Sequence, residues 1–403
     1  MTHTAALQLP RTLVWLLASA AGLSVANVYY AQPLLDALAQ DFGVGQGAIG
    51  LVVSATQLGC AVALLLLVPL GDLVRRRRLM LVQLLLLGVA LVAVGLARAP
   101  LWLLAGMLLV GLLGTAMTQG LIAYAASAAS PTERGHVVGM AQSGVVVGLL
   151  LARTLSGLVA DIAGWRAVYF ASAALALLLW AVLWRTLPEQ PAAAQRLSYP
   201  ALLRSMAGLL RHDRVLQVRG MLALLMFAAF SIFWSAMALP LSAAPHALSH
   251  TAIGAFGLVG AAGALAAARA GRRADRGLAE PTTGAALAVL LLSWAPLAAM
   301  ASSLWWLALG IVMLDMGGQA VHVTNQSLVF SRHPEAHGRL VGCYMLFYAA
   351  GSGLGAIAAT SMYAVAGWGG VCALGAGTSL AALLFWYATL PRAAANNACA
   401  AAP

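Results

Sequence analysis

The chain has 403 residues, 62% of them hydrophobic and 8% charged, with a mean hydropathy of +0.91. A water-soluble fold of this size cannot hide that much apolar surface, so composition excludes a soluble globular protein. The net charge of +11 comes from 22 basic residues, every one an arginine, against 11 acids; such a balance would suggest nucleic acid only if the arginines clustered on a soluble surface.

After a short polar lead, the first apolar run covers 12–35. It is longer than a signal-peptide core and is read as a retained helix. Further runs follow at 48–70, 79–97, 101–128, 137–160, 167–187, 219–243, 252–270, 282–300, 304–330, 338–365 and 369–390. Each is about 20 residues long and none alternates with the two-residue period of a barrel strand. The expected fold class is therefore an all-α membrane protein with twelve transmembrane helices. Cys60, Cys343, Cys372 and Cys399 are scattered, without the spacing of a disulfide framework or a metal site.

Arginine placement orients these spans. With both termini cytoplasmic, the cytoplasmic segments and span ends hold 19 arginines and the outer loops only Arg98 and Arg166, while Arg153 lies deep within a span. That asymmetry is the positive-inside pattern, so the basic charge serves topology and the anionic inner leaflet. No nucleic-acid partner is expected. The lack of lysine beside abundant alanine points to a GC-rich bacterial genome, and the expected location is the bacterial inner membrane.

The sequence repeats itself. "SPTERGHVVGM" (130–140) and "RHPEAHGRLVGC" (332–343) align at an offset of 203, which also places Asp72 on Asp275 and Gly164-Trp165 on Gly367-Trp368. The chain thus divides into six-span halves, 1–189 and 219–403, joined by a linker, 190–218. Each half has an even number of spans, so the two share one orientation, and a binding site is expected at mid-depth between them. Within the linker, "YPALLRSMAGLLRHDRVLQVR" (199–219) gathers Leu202, Leu203, Met206, Leu209 and Leu210 on one helical face, the pattern of a helix lying on the inner leaflet.

Polar residues inside the spans are the candidates for function. In the tenth, Asp315, Gln319, His322 and Gln326 recur at spacings of four, three and four and share an arc of about 60°, with Asn325 beside them. An ionised aspartate facing lipid costs roughly 2.5–3.5 kcal/mol, so this face is expected to line an interior, watery cavity. The other reading is a hydrogen-bonded ladder between helices. The repeat offset maps position 322 onto Gln119 in the fourth span, near Thr115 and Thr118. The first span offers Ser24, Asn27 and Tyr30, followed by Gln32 and Pro33, and the seventh offers Ser231, Trp234 and Ser235. By residue count, Arg153 lies about 10 Å and Asp315 about 16 Å from the outer ends of their spans, within reach of one another. Arg153 could instead pair with Asp36 or extend to the outer headgroups. The expected cavity set is Asp315, His322, Gln319, Gln326, Asn325, Arg153, Asn27, Tyr30, Gln119 and Thr115, with either Asp315 or His322 carrying a proton.

"PLGDLVRRRRL" (69–79) and its echo "GRRADRG" (271–277) resemble the loop between helices 2 and 3 of the major facilitator superfamily. An aspartate at a helix end can hold an arginine or a neighbouring helix N-terminus, making a latch between halves, here Asp72 and Arg76 with Asp275 and Arg276. "ANVYYAQPLL" (26–35) is similar to the first helix of a proton-coupled efflux subgroup carrying Asn-x-Tyr-Tyr-x-Gln-Pro-Leu-Leu, which includes sugar, nucleoside and drug exporter-like members. Three features depart from relatives, the first being Leu73 and Arg75 where the loop usually has Arg and Gly. The fourth span lacks an arginine, and Val145 replaces the Gly-Pro of drug antiporters. The resemblance implies two pseudo-symmetric six-helix bundles and proton-coupled transport.

No His-Asp-His set, HExxH or GxxxxGK[ST] occurs in the sequence, so neither an enzyme nor a nucleotide-driven pump is expected, and no cofactor or metal. The expected function is a monomeric secondary transporter that exports a small organic molecule in exchange for protons. A proton symporter, a facilitative uniporter and a non-transporting membrane sensor stay open at this stage, as do lipophilic cations, sugars and nucleosides as substrates.

Overall fold

The computed structural model describes residues 9–71, 73–130, 133–189, 198–330 and 337–390, and every regular element among them is helical. Helix α1 (Arg11–Tyr29) runs through a tight turn at Gln32–Leu34 into α2 (Leu35–Phe42). The turn sits at Pro33, which has no N–H to offer a regular helix. Then come α3 (Gly50–Val62), a widened turn at Ala63–Leu67, and α4 (Val68–Leu70). Helices α5 (Arg76–Gly95), α6 (Pro100–Ala128), α7 (Arg134–Ala163) and α8 (Trp165–Thr186) follow. After α9 (Tyr199–His212) the chain continues as α10 (Arg214–Ala236), α11 (Ala238–Ser242), α12 (His250–Val259) and α13 (Ala262–Asp275). It ends with α14 (Ala279–Leu292), α15 (Trp294–Ala298), α16 (Leu304–Phe330) and α17 (His337–Thr389).

Ten helical stretches among the described residues are long and apolar enough to cross a membrane. The expected eighth span is divided between α12 and α13. The expected last two lie in α17, whose backbone leaves helical geometry at Gly367, φ +61, a conformation that favours glycine.

The helices pack around two apolar cores. One gathers residues between Leu13 and Leu187, with Tyr124 and Tyr169 fully buried, and takes in Ala356 of α17. The other gathers residues between Leu222 and Ala382 around Phe233, Trp294 and Leu314. In lipid the cohesion of such bundles comes from close packing and interhelical hydrogen bonds rather than from burial away from water. Thr283 Oγ1 donates to Thr324 Oγ1 (3.0 Å), and Trp294 Nε1 to Ser379 Oγ (2.9 Å).

The linker helix α9 packs on the bundle. Leu202 and Met206 are buried, Met206 in a cluster with Leu216, Leu340, Cys343 and Tyr344, and Tyr199 Oη donates to the Leu66 carbonyl at 2.9 Å. On this side its apolar residues meet α10 and α17. Asp213 then caps α10, its Oδ1 accepting from the N–H groups of Val215 (2.9 Å) and Leu216 (3.0 Å), which holds the bend between the two helices.

The halves meet along α3 with α17 and along α7 with α12. At the arginine-poor end, α2 and the turn before it also touch α11 and α12. Helix α13 packs on α14 and α16, and the arginine-rich half of α7 leaves Gln142 and Val146 exposed. Along this seam the halves are joined at one end and diverge toward the other.

Candidate functional site

The centre of the site is organised by glycines. Gly254, Gly257, Gly260 and Gly263 recur every third residue through α12 and α13, a spacing that winds around the helix axis so that the first two meet α7 and the last two meet α16. A methyl at Gly254 would strike the Arg153 carbonyl, and one at Gly257 would lie 3.4 Å from Arg153 Cδ. A methyl at Gly260 would collide with Asp315 Oδ2, and one at Gly263 would lie 3.1 Å from both Asp315 Cβ and Gln319 Cγ. The stripe therefore lets α7 and α16 approach the same helix closely, placing Arg153 and Asp315 about one turn, or roughly 4.5 Å, apart along it.

Both charged side chains are buried, Arg153 at 3% exposure and Asp315 at 4%. Arg153 Nε donates to Gln32 Oε1 (2.8 Å), and its guanidinium carbon lies 4.1 Å from the Trp234 ring centroid and 5.2 Å from that of Tyr29. Cation–π contact with two rings stabilises a guanidinium that has left water. Its two terminal nitrogens have no hydrogen-bond partner among the described residues, nor has the Asp315 carboxylate, and neither group is sealed from accessible space. The Arg153–Asp315 ion pair considered from the sequence is not formed, because Gln32 and Trp234 draw the guanidinium aside. The Arg153–Asp36 pair is not formed either, since Asp36 faces His250.

The remaining sequence candidates scatter. His322 Nδ1 is 3.1 Å from Tyr344 Oη, and its ring meets the Phe227 ring at 5.2 Å. Seven residues separate it from Asp315, about 10 Å along α16, so the two titratable groups occupy different levels. Asn325 Nδ2 donates to the Arg219 carbonyl (3.3 Å) inside the second half. Gln319 lies beside Gly263, and Gln326 is half-buried. Asn27 turns away from the other half: its Oδ1 accepts from Ser172 Oγ of α8 (2.7 Å). Tyr30 lines an apolar groove between α1 and α7 with Trp15, Gly22 and Leu151. Thr115 and Gln119 are half-buried on α6.

Sequence reasoning missed Tyr29, whose hydroxyl contacts that of Tyr348 across the halves, and Tyr348, whose ring meets Phe227 at 4.4 Å. It also passed over the glycine stripe, although the three-residue spacing was visible. Among the described residues no group of three His, Cys, Asp or Glu could hold a metal ion.

The family model described as Major Facilitator Superfamily matches residues 15–293. The chain belongs to this superfamily. It is a multi-pass membrane transporter of that type, a class that handles small molecules within the membrane. The "Uncharacterized transporter YgaY" of Escherichia coli O157:H7 is 41% identical over 390 residues, covering 97% of this chain and 98% of the relative. The "Probable transporter SCO4007" of Streptomyces coelicolor is 33% identical over 95% of this chain and 88% of its own. Among solved structures, a bacterial homolog of the human lysosomal transporter Spinster, inward-facing and occupied, gives a TM-score of 0.75. It is 14% identical and covers 94% of this chain and 96% of its own. The xylose transporter XylE from E. coli, partially occluded and inward open, gives 0.70 at 15% identity, covering 94% and 97%.

Of the superfamily's loop residues, Asp72 lies outside the described residues. Arg76 donates to the carbonyls of Gly71 (3.2 Å) and Ala123 (2.9 Å), both in the first half. Asp275 and Arg276 are exposed at the end of α13, and Asp275 has no ion pair among the described residues, so the second-half latch is not closed.

A contact between halves that the sequence did not suggest lies at the arginine-poor end of this superfamily member. Asp161 of α7 accepts from the backbone N–H groups of His250 (3.0 Å) and Thr251 (2.8 Å) and from Thr251 Oγ1 (2.6 Å). It therefore caps α12 from the other half, where the helix dipole favours a carboxylate. His250 Nδ1 is 2.9 Å from Asp161 Oδ1, and Nε2 is 3.3 Å from Asp36 Oδ1, an ion-pair distance without hydrogen-bond alignment. His250 precedes the expected span 252–270, and the carboxylates of Asp36 and then Asp161 push it up to about 9, against burial. A raised value means that the protonated form favours the closed contact: its contribution is complete below about pH 6.5 and is lost as pH rises through 9. Spin labels at exposed Gln40 of α2 and Ala243 after α11 are expected to show a distance distribution that broadens between pH 7 and 10. His250→Ala removes that dependence; an unchanged broadening in the variant refutes the assignment.

Proposed function

We propose that this transporter exports a small organic molecule across the bacterial inner membrane in exchange for protons, by alternating access. In this reading the chain crosses the membrane twelve times with both termini cytoplasmic, and works as a monomer. The arginine-poor end, held by Asp161 and His250, is then the outer gate, and the divergence of α7 from α13 is the cytoplasmic opening. The inward-facing and inward-open states named for the Spinster homolog and XylE fit this orientation.

The observation that carries the reading is Asp315. It is a buried carboxyl without a protein partner, at the level where α7, α12 and α16 converge. A group so placed can take up a proton from one side and give it up when substrate arrives from the other. His322, already engaged by Tyr344, is the weaker proton carrier. The test uses everted membrane vesicles carrying the full chain and any small molecule that raises the thermal stability of the purified protein. Acidifying the vesicle lumen should drive accumulation of that molecule, and a protonophore should release it. Accumulation indifferent to the protonophore overturns proton coupling; efflux driven by an acid lumen overturns the direction.

A further inference from the structure

Resting on the transport reading above, we infer that the binding site takes a small zwitterion with a ring-bearing, apolar body, its anionic end on Arg153 and its ammonium end on Asp315.

The inference starts from charge. Arg153 and Asp315 are more than nine-tenths buried, oppositely charged, and spaced by about one helical turn along the glycines of α12, α13 and the break between them, yet no ion pair joins them. Each keeps polar atoms that have no protein partner and are not sealed from accessible space. Gln32 and the Trp234 ring hold the guanidinium by its Nε edge and its face, leaving the two terminal nitrogens as the free edge. That edge is the fork that receives a carboxylate in bidentate fashion. Asp315 is an acceptor-only group whose natural guest is an ammonium.

A singly charged guest answers only half of this site. An organic anion on Arg153 would stand beside an uncompensated carboxylate, and a cation on Asp315 beside an uncompensated guanidinium; in low dielectric either juxtaposition is unfavourable. A guest carrying both charges satisfies both residues and leaves the site neutral. The walls favour an aromatic or otherwise flat body: Tyr29 and Trp234 border this level from the two halves, and Tyr348 meets Tyr29 across them. Trp234 Nε1 is buried without a partner there as well. The assignment also deepens the exchange. An ammonium and a proton compete for the same carboxylate, so loading substrate displaces the proton from Asp315.

Four probes share one ring and three-carbon scaffold or nearly so and differ in charge: phenylalanine, 3-phenylpropionate, phenethylamine and 3-phenylpropanol. Titration calorimetry on the purified full chain should give phenylalanine at least about tenfold tighter than either singly charged probe, the size of one lost charge-assisted contact. Arg153→Gln should erase the advantage over phenethylamine, and Asp315→Asn the advantage over 3-phenylpropionate, with melting temperature and gel-filtration profile confirming that each variant is folded. The inference is overturned if a singly charged probe binds the unaltered protein as tightly as phenylalanine. It is equally overturned if no probe binds, or if the variants leave the ranking unchanged. Should that happen while acid-driven accumulation in everted vesicles persists, export stands and only the charge class of the guest falls.

Discussion

Asparagine in place of Asp315 is expected to reduce accumulation under a pH gradient to the rate seen without one, while the protein still folds and still performs counterflow once substrate is raised to offset its weaker binding. The change is nearly isosteric, so Gly260 and Gly263 continue to accommodate the side chain. No ion pair or hydrogen bond to protein is lost, because the carboxylate makes none among the described residues. What disappears is the capacity to bind and release a proton at this depth. Proteoliposomes separate the two quantities: counterflow needs only alternating access, whereas uphill movement needs the proton. A variant that accumulates substrate at the parental rate would remove Asp315 from the coupling mechanism.

The second large effect is on stability and lies outside the site. Arg219 of α10 pairs with Glu280 of α14, Glu280 Oε2 accepts from Trp386 Nε1 (3.1 Å), and Asn325 donates to the Arg219 carbonyl. This network ties α10, α14, α16 and α17 together near the arginine-rich end. Arg219→Ala leaves the Glu280 charge among apolar helices and is expected to destabilise the protein by about 2–4 kcal/mol. That is below the figure for a wholly buried pair because the Glu280 side chain keeps 34% exposure. Glu280→Gln should cost less, since the amide oxygen still accepts from Trp386. The midpoint of detergent-induced unfolding measures both, and the double variant reports the coupling between them; equal midpoints for Arg219→Ala and the parent would refute the role assigned to the pair.

The spans were legible because a membrane-crossing helix announces itself by length and hydropathy alone, and the helices found coincide with most of the apolar runs. The face of α16 bearing Asp315 was legible for a related reason: a 100° advance per residue converts spacing into direction. Direction is not partnership. Asn27 lies on a polar stripe of α1, but whether that stripe met α8 or the other half depended on how the bundle rotates, and it met Ser172. Arg153 carries a long side chain with several low-energy rotamers, and only the positions of Gln32 and Trp234 decide among them. The Asp161–His250 contact joins residues 89 apart, from two halves, and no local pattern marks either one. The glycine stripe was readable but needed a neighbour to give it meaning.

Between α12 and α13 the chain tightens: the Ala261 N–H bonds the Leu258 carbonyl (3.0 Å) and the Gly263 N–H bonds that of Gly260 (2.9 Å). That tightened turn could act as a pivot, since glycine-rich helix breaks absorb bending readily, and the acidic oxygen of α16 lies against Gly260. Swinging α13 about this pivot would unveil or smother the acid without displacing α12 from its seat on α7. One hinge would then govern both which aqueous compartment the acid meets and how strongly it holds its proton, with no relay of side chains between gate and charge.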